Sequence, residues 1–487
     1  KIYDNASPIG STTVKPDGSW SFTPTTPLAE GAHQLTATAI DPVGNESPRS
    51  GVFVVNVDTT APATPTAATG YADNVGSVQS PTSTAKVTDD TTPGINIGTV
   101  PAGLTPSLYV DGTKVAATYD PVAGTLTPNT PLAEGAHQIG YTLTDAAGNE
   151  SKQAPALSVT VNTIAVPPPA APTGYADNVG TIQSTASTAS TTDDATPGFN
   201  IGKVPSGLTP SLYVDDIKVA ATYDPVTSTL TPTTALTEGE HRISYTLTDA
   251  AGNESKQTPA LTVTVDQTAP AAPSTPTSYA DNAGTIQSTT STAAITDDAT
   301  PGINIGKVEP GSRPTLYVDG VKVAATYDTL NGTLTPNAPL TEGTHRISYT
   351  LSDAAGNESA HSGALVISVD TTAPAALDAS KIQVLDDVGA VQGQLASGAQ
   401  TDDSKPEYVG KADPAQVASV NVYDNGKLIG STAVAADGTW RFTPALRLAT
   451  GPHGLTAEAV DAAGNVSAIT PASTFTLLGD RPAAPAI

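Results

Sequence analysis

At 487 residues the chain is too long for one hydrophobic core and is expected to divide into several domains. Its 47 Asp and Glu against 21 Lys and Arg leave a net charge of -26, which excludes the basic face that nucleic acid needs and suits divalent cations or a solvating coat. Without Cys there are no disulfides or thiolate metal sites, and without a run of 18 apolar residues no membrane insertion is expected.

The elements recur with a fixed period. YADN begins at Tyr71, Tyr175 and Tyr279, and D-x-x-G-N begins at Asp41, Asp145, Asp249, Asp353 and Asp461, in steps of 104 until the last, which is 108. That period is far longer than the ~20–50 residues of a solenoid repeat and matches one β-sandwich domain. Cutting at the Pro-rich stretches gives five domains in chain order: 1–61, 62–166, 167–269, 270–373 and 374–487. The first lacks the early part of the repeat, because its Tyr3 aligns with Tyr423 deep in the last, so it is expected to be incompletely paired. With no Met and no basic, apolar start, Lys1 is not a natural beginning and a longer parent chain is expected.

In the second repeat the spacing predicts strands near YADN, at 95–98, 108–110, 115–119, 125–127, 137–144 and 157–161. Ile139, Tyr141 and Leu143 alternate with Gly140, Thr142 and Thr144, as a half-buried antiparallel strand does, with a small, Thr-rich wet face. Asp111-Gly112, Asp319-Gly320 and Asn425-Gly426 are hairpin turn signals, while 42 Pro and 42 Gly leave no room for useful helices. The third and fourth repeats are near copies of the second. The fifth belongs with the first, since Trp20 and Phe22 match Trp440 and Phe442, where the middle repeats carry TLTP. The fold class expected is all-β, tandem immunoglobulin-like sandwiches strung on Pro-bearing linkers as an extended, monomeric rod.

The phrases TDD-x-x-P, YDNG or VDG, DG-x-W-x-F-T-P, L-x-E-G-x-H, D-A-A-G-N-x-S and V-D-T-T-A-P together resemble the bacterial Ig-like repeats of biofilm-associated proteins and giant non-fimbrial adhesins. The resemblance covers essentially the whole chain. It implies type I secretion, retention at the outer cell surface, and calcium at or near domain junctions.

The acids suit calcium on their own account, because Ca²⁺ takes six to eight oxygens and tight loops here offer Asp, Asn and carbonyl groups. Sandwich topology places the loop before the last strand at the pole where the chain enters, so Asp145 and Asn149 should face Asp58, with Asp73 soon after the linker. The same geometry should unite Asp266 with Asp353 and Asn357, and Asp370 with Asp461 and Asn465, and it brings in Asp177, Asp249, Asn253, Asp281 and Asp386 as interdomain candidates. A second site is expected from Asp89, Asp90, Asp193, Asp194, Asp297, Asp298, Asp402 and Asp403. Against both stands plain turn chemistry, in which Asp accepts backbone amides and Gly or Asn takes positive φ.

His33, His137, His241, His345 and His453 recur one per domain, too far apart for a shared zinc, and are expected to be structural; His361 is an isolated loop residue. Glu30, Glu134, Glu238 and Glu342 precede four of them by three positions. No G-x-S-x-G, P-loop or H-E-x-x-H occurs, and every candidate acid recurs with the domain period, so no enzyme is expected. The expected function is an extracellular stalk or spacer of a surface adhesin in cell adhesion or biofilm formation, with host or matrix ligands engaged by other segments. The alternatives are a glycan- or protein-binding module and an accessory string of a secreted enzyme.

Overall fold

The computed structural model describes residues 1–390 and 392–479, so the final stretch of the fifth repeat lies outside it. Two compact units form, one from Lys1–Tyr175, Gly198–Ala235 and His241–Thr262, the other from Ala176–Pro197, Leu236–Glu240 and Val263 onward. The third repeat divides its strands between them.

In the first unit, the first repeat is a single four-stranded sheet, β2-β1-β3-β4, of β1 (Ile2–Asp4), β2 (Ser7–Gly10), β3 (Gly31–Ala37) and β4 (Phe53–Val57). No second sheet faces it among the described residues, and Trp20 is 50% exposed, whereas Trp440 in the fifth repeat is 1% exposed.

The second repeat is a full sandwich. Its strands are β5 (Tyr71–Asp73), β6 (Ser80–Ser83), β7 (Val87–Thr88), β8 (Gly94–Asn96), β9 (Thr105–Val110), β10 (Thr113–Val115), β11 (Ala117–Asp120), β12 (Thr125–Pro128), β13 (Gly135–Thr144) and β14 (Leu157–Val161). One sheet runs β10-β9-β13-β14-β7 and the other β11-β12-β8-β5-β6. Tyr71, Ile95, Leu108, Leu126, Ile139, Tyr141 and Val159 fill the space between, each buried. Burial at roughly 25 cal/mol per Å² of apolar surface lets such a repeat collapse on its own core.

Three expectations need correction. The strand read at 115–119 is two strands on different sheets, because the chain crosses from one to the other at Ala116. β6 and β7 carry no apolar alternation and were not foreseen; β7 is held by parallel pairing, Thr160 with Val87 and Val161 with Thr88. The wet face of β13 is partly covered, since Thr142 is buried and bonds Glu150 while Gln153 packs against Gly140, where a side chain would collide. The β9–β10 hairpin turns on Asp111 (φ 53°) and Gly112 (φ 78°), both left-handed, as a two-residue turn between right-twisted strands requires. In the third repeat, Thr209–Val214 pairs antiparallel with the strand that ends at Thr248, and Phe199, Leu212, Leu230 and Ile243 are buried.

In the second unit the third repeat's Thr191 and Thr192 pair in parallel with Thr264 and Val265. The fourth repeat reproduces both five-stranded sheets of the second. The fifth sets a sheet of Gln383–Asp386, Gly393–Gln394, Glu407–Lys411 and Thr439–Phe442 against a five-stranded partner. Trp440 packs edge-on to Tyr408 at 5.4 Å, and its ring lies over Gly410, where a Cβ would sit 2.5 Å from it. The 3₁₀ turn Ala379–Lys381 is the one helical element among the described residues, and no helix there is long and apolar enough to cross a membrane.

Candidate cation site at the repeat junctions

The D-x-x-G-N loop begins as a turn. Asp145 Oδ1 accepts the amides of Ala147 and Asn149 at 3.0 and 2.9 Å, and Asn149 Nδ2 donates to Asp145 Oδ2 at 3.0 Å. The Asn149 amide holds the Asp145 carboxyl below the ordinary carboxylate range. The same Nδ2 reaches across the junction to the Asp58 carbonyl at 2.8 Å. Equivalent bonds join Asn253 to Asn162 (2.8 Å), Asn357 to Asp266 (2.6 Å) and Asn465 to Asp370 (2.6 Å). Turn chemistry and junction contact are therefore the same residues in two roles.

Asp73 does not join Asp58: Asp58 meets Asn149 at the junction of the first and second repeats, whereas Asp73 lies with Asp89 and Asp249 at the junction of the second and third. There Asp73 Oδ2 accepts the buried Thr88 hydroxyl at 2.7 Å, Thr88 Oγ1 accepts the Asp90 amide at 3.0 Å, and the D-x-x-G-N loop of the next repeat closes over them. The Asp89 amide donates to the Ala251 carbonyl at 3.0 Å, and the Ser77 amide and hydroxyl donate to the Gly252 carbonyl at 3.2 and 3.0 Å. The two expected sites are thus one cluster per junction. Asp73, Asp89 and Asp90 meet Asp249 and Asn253; Asp177, Asp193 and Asp194 meet Asp266, Asp353 and Asn357; Asp281, Asp297 and Asp298 meet Asp370, Asp461 and Asn465. Asp58, Asp145 and Asn149 stand without a TDD pair, because the first repeat has none. Asp386, Asp402 and Asp403 have no further repeat packed on them among the described residues, and Asp402 is exposed where Asp89, Asp193 and Asp297 are buried.

The first Asp of TDD in the second, third and fourth repeats is in an unfavourable place for an ionised carboxylate. Asp89, Asp193 and Asp297 are 8%, 5% and 8% exposed, and Oδ1 of each is buried without a hydrogen-bond partner. Burial, then the neighbouring acids Asp281, Asp461 and Asp298, push Asp297 up to about 6; burial and the matching acids raise Asp89 and Asp193 too. The carboxylate leans on Gly76, Gly180 or Gly284, where a Cβ would sit 1.8, 1.7 or 1.6 Å from Oδ2. Those glycines, the Ser77, Thr181 and Thr285 clasp and the buried Thr88, Thr192 and Thr296 were missed from the sequence, although each recurs with the 104-residue period. Hard oxygen donors and uncompensated negative charge suit Ca²⁺ in kind. Among the described residues, however, no three His, Cys, Asp or Glu already converge as a metal cage.

At the junction of the second and third repeats, Asn162 stands where Asp58, Asp266 and Asp370 stand elsewhere, and its Nδ2 donates to Asp249 Oδ2 at 3.1 Å. The recurrent histidines are structural bridges, with His137 Nδ1 on Asp111 and Nε2 on the Ala133 carbonyl. His361 is not isolated: its ring meets Tyr317 edge-on at 4.3 Å.

The fold and the recurring junction define a tandem immunoglobulin-like protein. The bacterial Ig-like domain family matches residues 1–59, 66–163, 175–267, 273–371 and 379–477, and the chain belongs to it. Exoglucanase B of Cellulomonas fimi is 31% identical over 356 residues, 69% of this chain but only 30% of that protein, so the chain spans less than a third of this relative. Among solved structures, a Ca²⁺-stabilized adhesin of an Antarctic bacterium that binds ice matches at 20% identity over 79% of this chain and 92% of that one, with a TM-score of 0.23. A tetra-tandem repeat from the extending region of a large adhesion protein matches at 18% over 80% and 96%, with a TM-score of 0.20.

Proposed function

We propose that this chain is a non-catalytic spacer, a stalk segment of a secreted or surface-displayed bacterial adhesin, whose junctions close on calcium. The observation that carries the reading is the buried, unpartnered carboxylate oxygen of Asp89, Asp193 and Asp297, set among acids of the same repeat and the next, in three successive copies. Burying like charges side by side is costly unless a cation offsets them. Asp89, Asp73, Asp90 and Asp249, with their copies and with Asp266 and Asp370, are the residues that would hold it. Near-identical middle repeats favour length over a single ligand site.

Each of the four later repeats has its own core, so calcium acts on the joints more than on the folds. A site with a dissociation constant of about 0.1–1 mM contributes ~0.4–1.4 kcal/mol at ~1 mM calcium, small beside a domain's ~5–15 kcal/mol but enough to bias a hinge. Small-angle scattering and circular dichroism with and without EDTA test this. The maximum dimension should shrink and the profile should become more flexible on chelation while the sheet signal persists. An unchanged profile removes calcium from the mechanism, and wholesale loss of sheet places the ion inside the folds.

The similarity to Exoglucanase B favours a second reading, an accessory string of a secreted enzyme. Sequencing the parent gene beyond this segment decides between the two, and a glycan array with the whole chain tests for a binding module.

A further inference from the structure

We propose that the E-G-x-H phrase is a proton-dependent clamp that fastens each linker to the repeat it leaves. Glu134 Oε2 accepts the amide and the hydroxyl of Thr163 at 2.9 and 2.8 Å, two residues past the end of β14. Glu30 holds the amide and hydroxyl of Thr59 at 3.0 and 2.6 Å, Glu238 holds the Gln267 amide at 3.0 Å, and Glu342 holds the amide of Thr371 at 2.9 Å and its hydroxyl as well. A grip on the backbone amide two residues past the last strand is thus common to all four repeats that carry the glutamate.

The histidine three positions on holds the clamp's base. His137 Nε2 sits 2.8 Å from the carbonyl of Ala133, the residue before Glu134, and Nδ1 sits 2.8 Å from Asp111 Oδ2 on the β9–β10 turn. His345 bridges Thr341 and Asp319 at 2.8 and 2.7 Å, and His33 bridges Ala29 and Asp4 at 2.7 and 2.6 Å. A carbonyl and an ionised carboxylate only accept hydrogen bonds, and a neutral imidazole has one N–H. Both bonds therefore require the imidazolium. Asp111 is the charged group facing His137, and Glu134 is committed to Thr163. Burial opposes the charge on His137 and His345 but is outweighed by the carbonyl and the carboxylate; at His33 the Ala29 carbonyl and then Asp4 raise the pKa. His453 keeps the bridge to Ala449 and Asp424, but Thr450 replaces the glutamate, so the fifth repeat has the bridge without this grip.

A histidine raised on folding contributes stability that is full below the ordinary imidazole pKa and is lost as pH rises through its folded value. The clamp is therefore fully closed below the ordinary imidazole pKa and opens as pH rises through the raised value. The test is amide exchange on the full chain from pH 6 to 9, corrected for intrinsic rates, with the Thr160 amide, bonded to the Lys86 carbonyl, as internal reference. Protection at Thr163 and Thr371 should fall about tenfold or more relative to Thr160. His137→Gln should abolish the pH dependence at Thr163 and leave it at Thr371. Ring ¹⁵N titration of the unmodified protein gives a check that no variant can confound: His137 should lose its second proton at a higher pH than the histidine of an unfolded peptide. A flat profile at Thr163 with pH, an unaltered one in His137→Gln, or a His137 that titrates no higher than the unfolded peptide overturns the clamp.

Discussion

Replacing Asp297 by Asn removes a charge that the junction of the fourth and fifth repeats accommodates badly when no cation is present. Asp297 is pushed up to about 6 from an ordinary 3.8, first by burial and then by Asp281, Asp461 and Asp298. That difference of about 2 pKa units corresponds to at most about 3 kcal/mol against the ionised form at pH 7. A carboxyl raised on folding favours the folded state fully below its ordinary value and loses that contribution as pH rises through about 6. In EDTA at pH 7, Asp297→Asn should therefore tighten the junction by roughly 1–3 kcal/mol, with little effect near pH 4. An amide is already present in one of these clusters, where Asn162, in the place of Asp370, donates to Asp249. In calcium the order should invert, because the wild type gains a ligand that the variant lacks. Hydrogen exchange on peptides spanning 285–298 and 461–466 reads the junction without requiring two-state unfolding of the whole chain. Loosening by Asp297→Asn in EDTA at pH 7, or the same calcium response in both proteins, refutes the reasoning.

Asn162→Asp should do the converse: the Asn162 bond to Asp249 becomes a like-charge contact, so linker proteolysis near 163–170 should rise in EDTA and fall below wild type in calcium. Trp440→Ala should destabilise the fifth repeat by about 3–5 kcal/mol, read as a separate early transition in calorimetry, while the middle repeats melt unchanged. Thr192→Val removes the hydroxyl that donates to Asp177 at 2.7 Å and accepts the Asp194 amide at 3.1 Å, and should cost the third repeat about 1–3 kcal/mol by local exchange. Gly284→Ala should displace the Asp297 carboxylate and weaken calcium binding at that junction alone, measured by titration calorimetry against wild type.

The period, the two-residue alternation and the turn signals were legible because they are local: a strand's buried face and a left-handed Asp-Gly turn are set by neighbours within a few residues. Ile139, Tyr141 and Leu143 announce a core strand, and Asp111-Gly112 announces a hairpin, without knowledge of what they touch. The meeting of Asp145 and Asn149 with Asp58 was also legible, since it needs only the rule that antiparallel strands return to the pole they left. Which pole Asp73 occupies was not, because β5, which carries it, is placed by pairing with β6 and β8 further along the chain. The same holds for β6 and β7, Ser- and Thr-rich segments that are strands only because a partner supplies their hydrogen bonds, and for the split of 115–119 between two sheets. Two acids on a loop look solvated in any sequence. Asp89 is buried and Asp402 exposed because the next repeat closes over one and not the other, and that difference in solvation exists only in the folded chain.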